Sequence, residues 1–300
     1  MVGRLRARLG DQGLTHVTTT THVERFLAMG TRIELHLFGA VEEAATIEAR
    51  RAIEAVDDAL TIHRPSPTTV LNERLMAGRE AAIDDPVLLD ALAEIQSGWA
   101  STAGLFDPAA DARARGTGWR SISFDRDNAR IRASQPIALD FGGFGKGFAL
   151  DRASEVLRDA GVLSALLSAG ESSIAVVGEH PLGGGWPFAI PHPLQSGQIL
   201  AELELHDEAL SISSTVGAGA LAPDRAAMIR PADGTIVTSQ RTVVAIERSG
   251  ARAEVMSTAL LVADDAQAGC LLEGRQGRCF LFDFSREAAM PVSPVGVVAI

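Results

Sequence analysis

The residues best suited to chemistry lie in a glycine-rich segment that contains the only lysine of the chain. Lys146 is one of 27 lysine and arginine residues, and it stands between Gly145 and Gly147 at the end of the run 140–147. Glycines let a backbone approach a ligand closely, and a lysine places a compact positive charge on a flexible stem. The combination indicates a site where a polar ligand lies close to the backbone, although a coding preference for arginine would also leave one lysine by chance.

The segments on either side of these glycines predict a strand, a loop and a helix in that order. Residues 136–141 form a short apolar run, and residues 148–160 have helical spacing of apolar side chains, with Gly161 as a C-terminal stop. The free N–H groups and the positive dipole end at such a helix start favour an anion such as a pyrophosphate. The loop matches neither the Walker A pattern nor the Gly-x-Gly-x-x-Gly dinucleotide pattern, so it predicts a nucleotide-type loop of a third kind.

Two further segments carry candidate functional side chains. Residues 104–108 follow a predicted helix, and the Asp-Pro pair there is most simply a turn. Further on, Glu254 and Thr258 are four residues apart and share one helical face, with Ser257 beside them. Oxygen ligands of this kind suit Mg²⁺, which usually takes one or two protein oxygens together with phosphate and water. A carboxylate favoured by the dipole near a helix N-terminus explains Glu254 equally well.

The composition limits the classes of partner. The chain has 300 residues, 46% of them hydrophobic, which is enough for a sizeable core. A net charge of −11 argues against nucleic acid or an anionic membrane as the main partner. Cys270 and Cys279 are expected to be reduced thiols. Residues 1–24 are polar and loosely ordered in this interpretation, without a signal peptide, and no later segment approaches a membrane span, which predicts a cytoplasmic protein without membrane insertion.

The order of predicted elements favours an α+β fold, because runs of strands are separated by isolated helices. Helices are predicted at residues 41–60, around 70–75, and at 86–102, 148–160, 253–263 and 265–272. Strands are predicted at residues 29–38, 121–124, 129–133, 136–141, 165–167, 174–177, 187–190, 199–205, 209–213, 226–229, 242–246 and 279–284. We therefore expect mixed or antiparallel sheets with flanking helices in one domain over residues 25–300.

The motifs, in this order, resemble those of the FAD:protein FMN transferase family, the ApbE-type flavin transferases. The family signatures are MGT, GxFDP, DLGGIAKGYAVD, GGSS or GGD, HIIDPxTG and ADALSTA. Their counterparts here are MGT, GLFDP, DFGGFGKGFALD, AGESS, AMIRPADG and AEVMSTA. The correspondence runs in register over about residues 25–285, and the glycine-lysine segment is its most specific part.

The resemblance implies two intimate lobes that hold FAD between them. It also implies a Mg²⁺-dependent cleavage of FAD, in which FMN passes to a Thr or Ser of an acceptor flavoprotein and AMP is released. By position, the residues expected against FAD are Met29, His63, Leu105, Phe106, Asp107, Asp140, Gly142, Gly143, Lys146 and Ile229. The metal would be held by the Gly143 carbonyl with Glu254, Ser257 and Thr258, and Lys146 would supply a catalytic positive charge.

The chain departs from the family pattern at residues expected to do chemistry. The family histidine of HIIDP corresponds to Ala227 and the aspartate of that motif to Arg230. The family's metal aspartate is Glu254, which is one methylene longer, and no tyrosine replaces that of the TSG-Tyr segment. Loss of a general base costs about 10²–10⁴-fold in rate. FMN transfer is the leading hypothesis, and the alternatives are a flavin-binding protein with little or no transferase activity and a Mg²⁺-dependent FAD pyrophosphatase.

Overall fold

The computed structural model describes residues 21–110, 117–217, 228–274 and 277–285. The strands are β1 (Thr21–Ala28), β2 (Thr31–Phe38), β3 (Ala81–Ala82), β4 (Ile122–Asp125), β5 (Arg130–Ala133), β6 (Ser164–Ala169), β7 (Ser173–Gly178), β8 (Trp186–Pro191), β9 (Ile199–Leu205), β10 (Ala209–Ser214), β11 (Arg241–Glu247) and β12 (Arg278–Asp283). The helices are α1 (Glu43–Leu60), α2 (Pro67–Met76), α3 (Pro86–Ser101), α4 (Gly145–Asp159), α5 (Gly250–Val262) and α6 (Asp265–Leu272). Within the described ranges, no helix combines the length and apolar character needed to cross a membrane.

The main sheet has seven strands in the order β1-β2-β6-β7-β10-β11-β12, and every neighbouring pair is antiparallel. A small sheet, β3-β5-β4, and the hairpin β8-β9 lie outside it. The helices come between runs of strands, as the sequence predicts for an α+β protein. The α+β prediction is therefore confirmed.

Both faces of the main sheet are buried. Along β11, Val243 and Ala245 belong to the larger apolar core, which includes residues of α1, α4 and α5. The intervening Val244 and Ile246 belong to a second core, in which Trp186 of the hairpin β8-β9 takes part. This strict alternation follows from the two-residue period of a strand. The sheet is thus a middle layer with helices on one side and the hairpin on the other.

The predicted elements are mostly found, and the exceptions are local. β9 and α6 have the predicted bounds, and the remaining helices differ from prediction by a few residues. The predicted strand at residues 136–141 is wrong, since that segment has no regular structure. Asn72 takes the place of a strand partner: its amide nitrogen donates to the Leu139 carbonyl at 2.9 Å and its oxygen accepts the Leu139 N–H at 2.8 Å.

Two boundaries also differ. The strand predicted at residues 29–38 begins at Thr31, because Met29 and Gly30 have positive φ and form the turn after β1. β1 was not predicted, and it begins at Thr21, so the predicted boundary at residue 24 falls inside a strand. Of the strand predicted at 226–229, residues 226 and 227 lie outside the described residues, and Ile229 forms an isolated bridge with Ile236.

Helices α4 and α5 pack closely enough to need glycine on both sides. A Cβ on Gly147 would lie 2.1 Å from the Gly250 carbonyl oxygen, and a Cβ on Gly250 would lie 2.7 Å from the Gly147 oxygen. Real Cβ contacts are not this short, so neither position accepts a side chain without moving a helix. This contact brings the first turn of α4, with its lysine, next to α5.

Candidate active site

A cavity of about 720 Å³ opens where the glycine-rich loop, the start of α4, strand β10 and the middle of α5 meet. Its volume falls in the range of about 300–1,000 Å³ that is usual for small-molecule sites. The lining includes these residues of the candidate site: Leu105, Phe106, Asp107, Asp140, Gly142, Gly143, Lys146, Ile229, Glu254 and Thr258. Three segments that the sequence singled out separately therefore form one site.

Backbone hydrogen bonds hold the glycine-rich loop beside residues 105–108. The Asp140 N–H donates to the Pro108 carbonyl at 2.8 Å, which joins the two segments directly. The Asp140 side chain accepts the Gly142 N–H at 2.8 Å, which folds the loop back on itself. Gly142 and Gly143 are exposed and line the cavity, where a ligand can approach their backbone.

Helix α4 begins at Gly145, so Lys146 lies in its first turn. The N-cap residue is Phe144, which provides no side-chain hydrogen bond, and the first turn contains no acidic residue. The positive end of the helix dipole is therefore not offset by a carboxylate of its own helix. Such a terminus, with an ammonium group beside it, favours a phosphate or pyrophosphate.

Lys146 makes an ion pair with Glu254 across the α4-α5 contact. Its Nζ is 3.2 Å from Glu254 Oε1, and the side chains are 24% and 3% exposed, respectively. Burying a carboxylate is costly unless it is paired and hydrogen-bonded. Lys146 supplies the paired charge for the buried carboxylate, and its side chain also lines the cavity.

A second group also acts on the same oxygen. The Ser173 hydroxyl, at the start of β7, donates to Glu254 Oε1 at 2.5 Å. Glu254 Oε2 is buried and, among the described residues, has no hydrogen-bond partner. An orphaned buried carboxylate oxygen calls for an explanation, and an ion is one of the few that fit.

The oxygens around Glu254 suit a hard cation. A Cβ on Gly143 would lie 3.4 Å from Thr258 Oγ1, so this hydroxyl lies beside the glycine loop, and both line the cavity with Glu254. In the part of the chain that the structure describes, no cluster of three or more His, Cys, Asp or Glu residues forms a metal site. One carboxylate with neutral oxygens is, however, a donor set that Mg²⁺ accepts alongside phosphate.

Three comparisons with known proteins point to one family. The ApbE family model matches residues 109–281, which is more than half of the chain. The chain belongs to the ApbE family. An FAD:protein FMN transferase of Rhodobacter capsulatus is 29% identical over an alignment of 220 positions, which covers 63% of this chain and 41% of that protein. The chain thus spans about two fifths of the length of this curated relative.

Solved structures of the ApbE family share the fold. The flavin transferase ApbE from Vibrio cholerae superposes with a TM-score of 0.79 at 17% identity, over 92% of this chain and 98% of that chain. The apo flavinyl transferase ApbE from Pseudomonas stutzeri gives 0.76 at 21% identity, over 92% and 94%. The ApbE protein from Thermotoga maritima gives 0.77 at 16% identity, over 92% and 97%.

Not every residue that the family resemblance assigned lies in the cavity lining. Ser257 is fully buried behind the wall, where its Oγ is 2.9 Å from Ser211 Oγ and 2.8 Å from Ser213 Oγ. Its hydroxyl also bonds the Glu254 carbonyl at 3.2 Å. These contacts tie α5 to β10 and hold the Ser257 hydroxyl outside the cavity lining, whereas the resemblance implies it as a metal ligand.

Met29 and His63 also lie outside the lining. Met29, in the turn after β1, donates its N–H to Asp57 Oδ1 at 3.0 Å. Its terminal methyl lies 2.6 Å from where a Cβ of Gly145 would be, so it supports the start of α4 from behind. His63 is exposed on the loop after α1, and its backbone N–H donates to Thr61 Oγ1 at 3.3 Å.

Asp107 lines the cavity but is also a structural carboxylate. It accepts N–H groups from Ala109 at 2.9 Å and from Trp119 at 2.9 and 3.0 Å. Burial raises the pKa of Asp107, and the hydrogen bonds from Trp119 and Ala109 oppose that shift. The residue therefore fixes the loop that carries Leu105 and Phe106 into the cavity.

A capping carboxylate on α4 holds α5 in place. Asp151 accepts the N–H groups of Gly250 at 2.6 Å and Ala251 at 2.9 Å, and the Ser249 hydroxyl at 2.7 Å. Burial raises the pKa of Asp151, and these same bonds oppose the shift. The final aspartate of the DFGGFGKGFALD motif thus anchors the helix that carries Glu254.

A larger groove of about 1030 Å³ lies on another side of α4 and α5. Its walls carry charges of both signs, including Arg152 paired with Asp90 at 3.1 Å. None of the candidate site residues lines it. Its mixed charge gives no preference for an anionic ligand, so the smaller cavity is the candidate active site.

Serine side chains of the wall are the residues that sequence reasoning missed. Ser172, Ser173, Ser211, Ser213 and Ser214 all line the cavity. The AGESS segment contains two of them, but nothing in the sequence indicates that one would bond Glu254, 81 residues away. Ala227, which the resemblance places at the position of the family histidine, lies outside the described residues.

Proposed function

We propose that this ApbE-family protein transfers FMN from FAD to a Thr or Ser hydroxyl of an acceptor protein and releases AMP. The observation that carries the proposal is the combination of a helix start without a side-chain cap, Lys146, and a buried Glu254 whose Oε2 has no partner among the described residues. The first arrangement suits the pyrophosphate of FAD. The second suits the cation that a pyrophosphate cleavage needs.

FAD would bind with its pyrophosphate at the start of α4. The exposed backbone of Gly142 and Gly143 lets the phosphates approach closely, and Lys146 adds a charge-assisted contact. Leu105 and Ile229 give the cavity apolar surface, which suits the ring systems at the two ends of the dinucleotide.

The residues fit a magnesium ion. Glu254, the Thr258 hydroxyl and the Gly143 carbonyl would hold it, with remaining positions left to phosphate and water. When bound, Mg²⁺ neutralises charge on the phosphate oxygens of the substrate. Ser257, fully engaged with β10, is left out of this set and positions α5 instead.

In the transfer, the oxygen of the acceptor hydroxyl bonds to the FMN phosphorus, the bond from that phosphorus to the bridging oxygen breaks, and AMP leaves with that oxygen. The chain's own residues contribute to this exchange in two ways. Lys146 stabilises the negative charge that develops during this exchange. The loop 140–143 and α5 fix the position of the phosphates, which favours in-line attack.

The second candidate is a protein that binds FAD but transfers FMN slowly or not at all. In the described ranges no histidine lines the cavity, and the position of the family histidine holds Ala227. The hydroxyl proton of the acceptor would then pass to solvent or to another carboxylate. FAD hydrolysis to FMN and AMP is the corresponding outcome when water replaces the acceptor.

The test is to incubate the purified chain with FAD and Mg²⁺, with and without an acceptor flavoprotein domain, and to measure AMP and protein-bound flavin. Transfer predicts that AMP and covalent flavin appear together, only when the acceptor is present. AMP without covalent flavin indicates a pyrophosphatase, and FAD binding without AMP indicates the binding protein. Glu254→Gln is the control, since it keeps the shape of the side chain and removes its charge.

A further inference from the structure

We propose that Ser173 is a positioning residue that turns the Glu254 carboxylate so that Oε2 faces the cation. The inference rests on the metal of the proposed function. Ser173 Oγ donates to Glu254 Oε1 at 2.5 Å, and the two residues are 2% and 3% exposed. A buried hydrogen bond to a charged group is among the stronger interactions of a single side chain.

A hydroxyl group and an ammonium group from different elements contact the same carboxylate oxygen. Ser173, from β7, donates a hydrogen bond to it, and Lys146, from α4, forms an ion pair with it at 3.2 Å. The torsion next to a carboxylate has a broad, roughly two-fold preference, so a carboxylate without such contacts would rotate with little cost. With Oε1 held on two sides, Oε2 becomes the oxygen left for an additional partner.

The strand fixes the serine itself. In the sheet, Ser173 is paired with Ala169 of β6 on one side and with Ser211 of β10 on the other. The position of the Ser173 backbone is therefore fixed by the sheet, and it is the Glu254 side chain that adjusts to make the hydrogen bond. By contrast, the Glu254 side chain has one rotatable bond more than the aspartate of the family motif, and that added freedom is lost when a ligand orders it.

Ser173 thus compensates for the longer acidic side chain of this protein. An aspartate at position 254 would end one methylene short of the Ser173 hydroxyl and would need no such anchor. The proposal assigns Ser173 a role only through Glu254, and it predicts that the effect of the serine disappears when the glutamate is shortened.

The experiment measures metal binding rather than turnover. Mn²⁺ is titrated into the full-length chain with and without FAD, and the free ion is followed by electron paramagnetic resonance. Removing one charge-assisted hydrogen bond from the ligand should raise the Mn²⁺ dissociation constant of Ser173→Ala by about tenfold. The matched control is Ser154→Ala: Ser154 is also buried, and its hydroxyl has no partner among the described residues. That variant should bind Mn²⁺ as the unmodified chain does.

The decisive comparison uses Glu254→Asp as a second background. Ser173→Ala should weaken Mn²⁺ binding in the unmodified chain and leave it unchanged in Glu254→Asp, because the shorter carboxylate does not reach the serine. Thermal unfolding of each variant identifies any loss of fold. Equal loss of affinity in both backgrounds, or no loss in either, overturns the inference while the metal site stands. An unmodified chain that binds no Mn²⁺ in the presence of FAD overturns the metal site as well.

Discussion

At the scale of single residues, Lys146 and Glu254 form an ion pair whose carboxylate is costly to bury. One oxygen of that carboxylate, Oε2, has no partner among the described residues. The carboxylate is almost fully buried, and the lysine that neutralises it is 24% exposed in the cavity. Buried charge pairs are weak evidence for stability, since apolar residues of similar volume often serve as well. A charged pair in a cleft is a better indicator of function.

Lys146→Ala should weaken FAD binding at least about tenfold, because one charge-assisted phosphate contact contributes roughly 1.5–3 kcal/mol. The measurement is a flavin fluorescence titration. Arg152→Ala is the matched control: it removes one positive charge from the same helix, but Arg152 lines the larger groove. An unchanged FAD dissociation constant for Lys146→Ala would contradict the assignment of the lysine.

The residue assignments show what a sequence can and cannot specify. The glycines and Lys146 were predictable because they are adjacent in the chain and their types have a direct physical meaning. The different surroundings of the Ser257 and Thr258 side chains could not be predicted in this way. They are neighbours in sequence, but one helical step rotates side chains by about 100°, so one faces β10 and the other the cavity. The bond from Ser173 depends on the sheet and has no local signal.

At the scale of elements, the contact between α4 and α5 decides whether the site assembles. Gly147→Ala would place a methyl 2.1 Å from the Gly250 carbonyl oxygen, which forces the helices apart. Overpacking of this kind costs about 1–3 kcal/mol. Urea unfolding should show that loss, and FAD affinity should fall with it because Lys146 and Glu254 lie on opposite sides of the contact.

The control for that variant is Gly269→Ala in α6. A Cβ at Gly269 meets nothing within 4 Å, and alanine favours a helix over glycine by about 1 kcal/mol. This variant should be as stable as the unmodified chain or slightly more so, with unchanged FAD affinity. If both alanine variants have the same stability, the α4-α5 contact is not as tight as these distances imply.

Prediction of the elements succeeded where the pattern is local. α3 was predicted at residues 86–102 and observed at Pro86–Ser101, whereas residues 136–141 were predicted as a strand because they are apolar. Asn72, remote in sequence, provides the hydrogen bonds that a neighbouring strand would otherwise supply. A short apolar run cannot reveal which partner satisfies its backbone.

A second prediction at this scale concerns pH. Arg241 joins β11 to β12 through Asp283 at 3.0 Å and to α6 through Asp265 at 2.8 Å. Burial raises the pKa of Asp283, but the hydrogen bonds from Ser285 and Arg241 outweigh it, so the pKa lies below its usual 3.8. A lowered pKa in the folded state gives stability that is present above the unfolded value and lost as pH falls through the folded value.

Asp283→Asn should therefore destabilise the chain near neutrality and progressively less as pH falls below the usual aspartate pKa of 3.8. Urea unfolding of both proteins over that range gives the difference in free energy of unfolding at each pH. A difference that stays constant with pH would mean that the charge of Asp283 does not stabilise the sheet edge.

At the scale of the whole molecule, the candidate site exists only in the folded chain. Its walls come from segments as far apart as Leu105 and Val262, so an unfolded chain has no means of holding FAD. A ligand that binds only the folded state stabilises it by about 2.7 kcal/mol when present at 100 times its dissociation constant. For a chain of this size that amounts to a rise of several degrees in the unfolding temperature.

The same relation makes the site assignment quantitative. At one fixed FAD concentration, a tenfold weaker dissociation constant should lower the stabilisation of Lys146→Ala by about 1.4 kcal/mol, so its thermal shift should be about half that of the unmodified chain. Mg²⁺ should increase the shift that FAD produces, and it should have no such effect in Glu254→Gln, because the proposed function places metal and FAD in contact through that carboxylate, so that each stabilises the other. Differential scanning fluorimetry of the three proteins, with FAD, with Mg²⁺ and with both, checks this. A full FAD shift in Lys146→Ala would place the dinucleotide elsewhere on the molecule. A Mg²⁺ effect that persists in Glu254→Gln would place the metal away from α5.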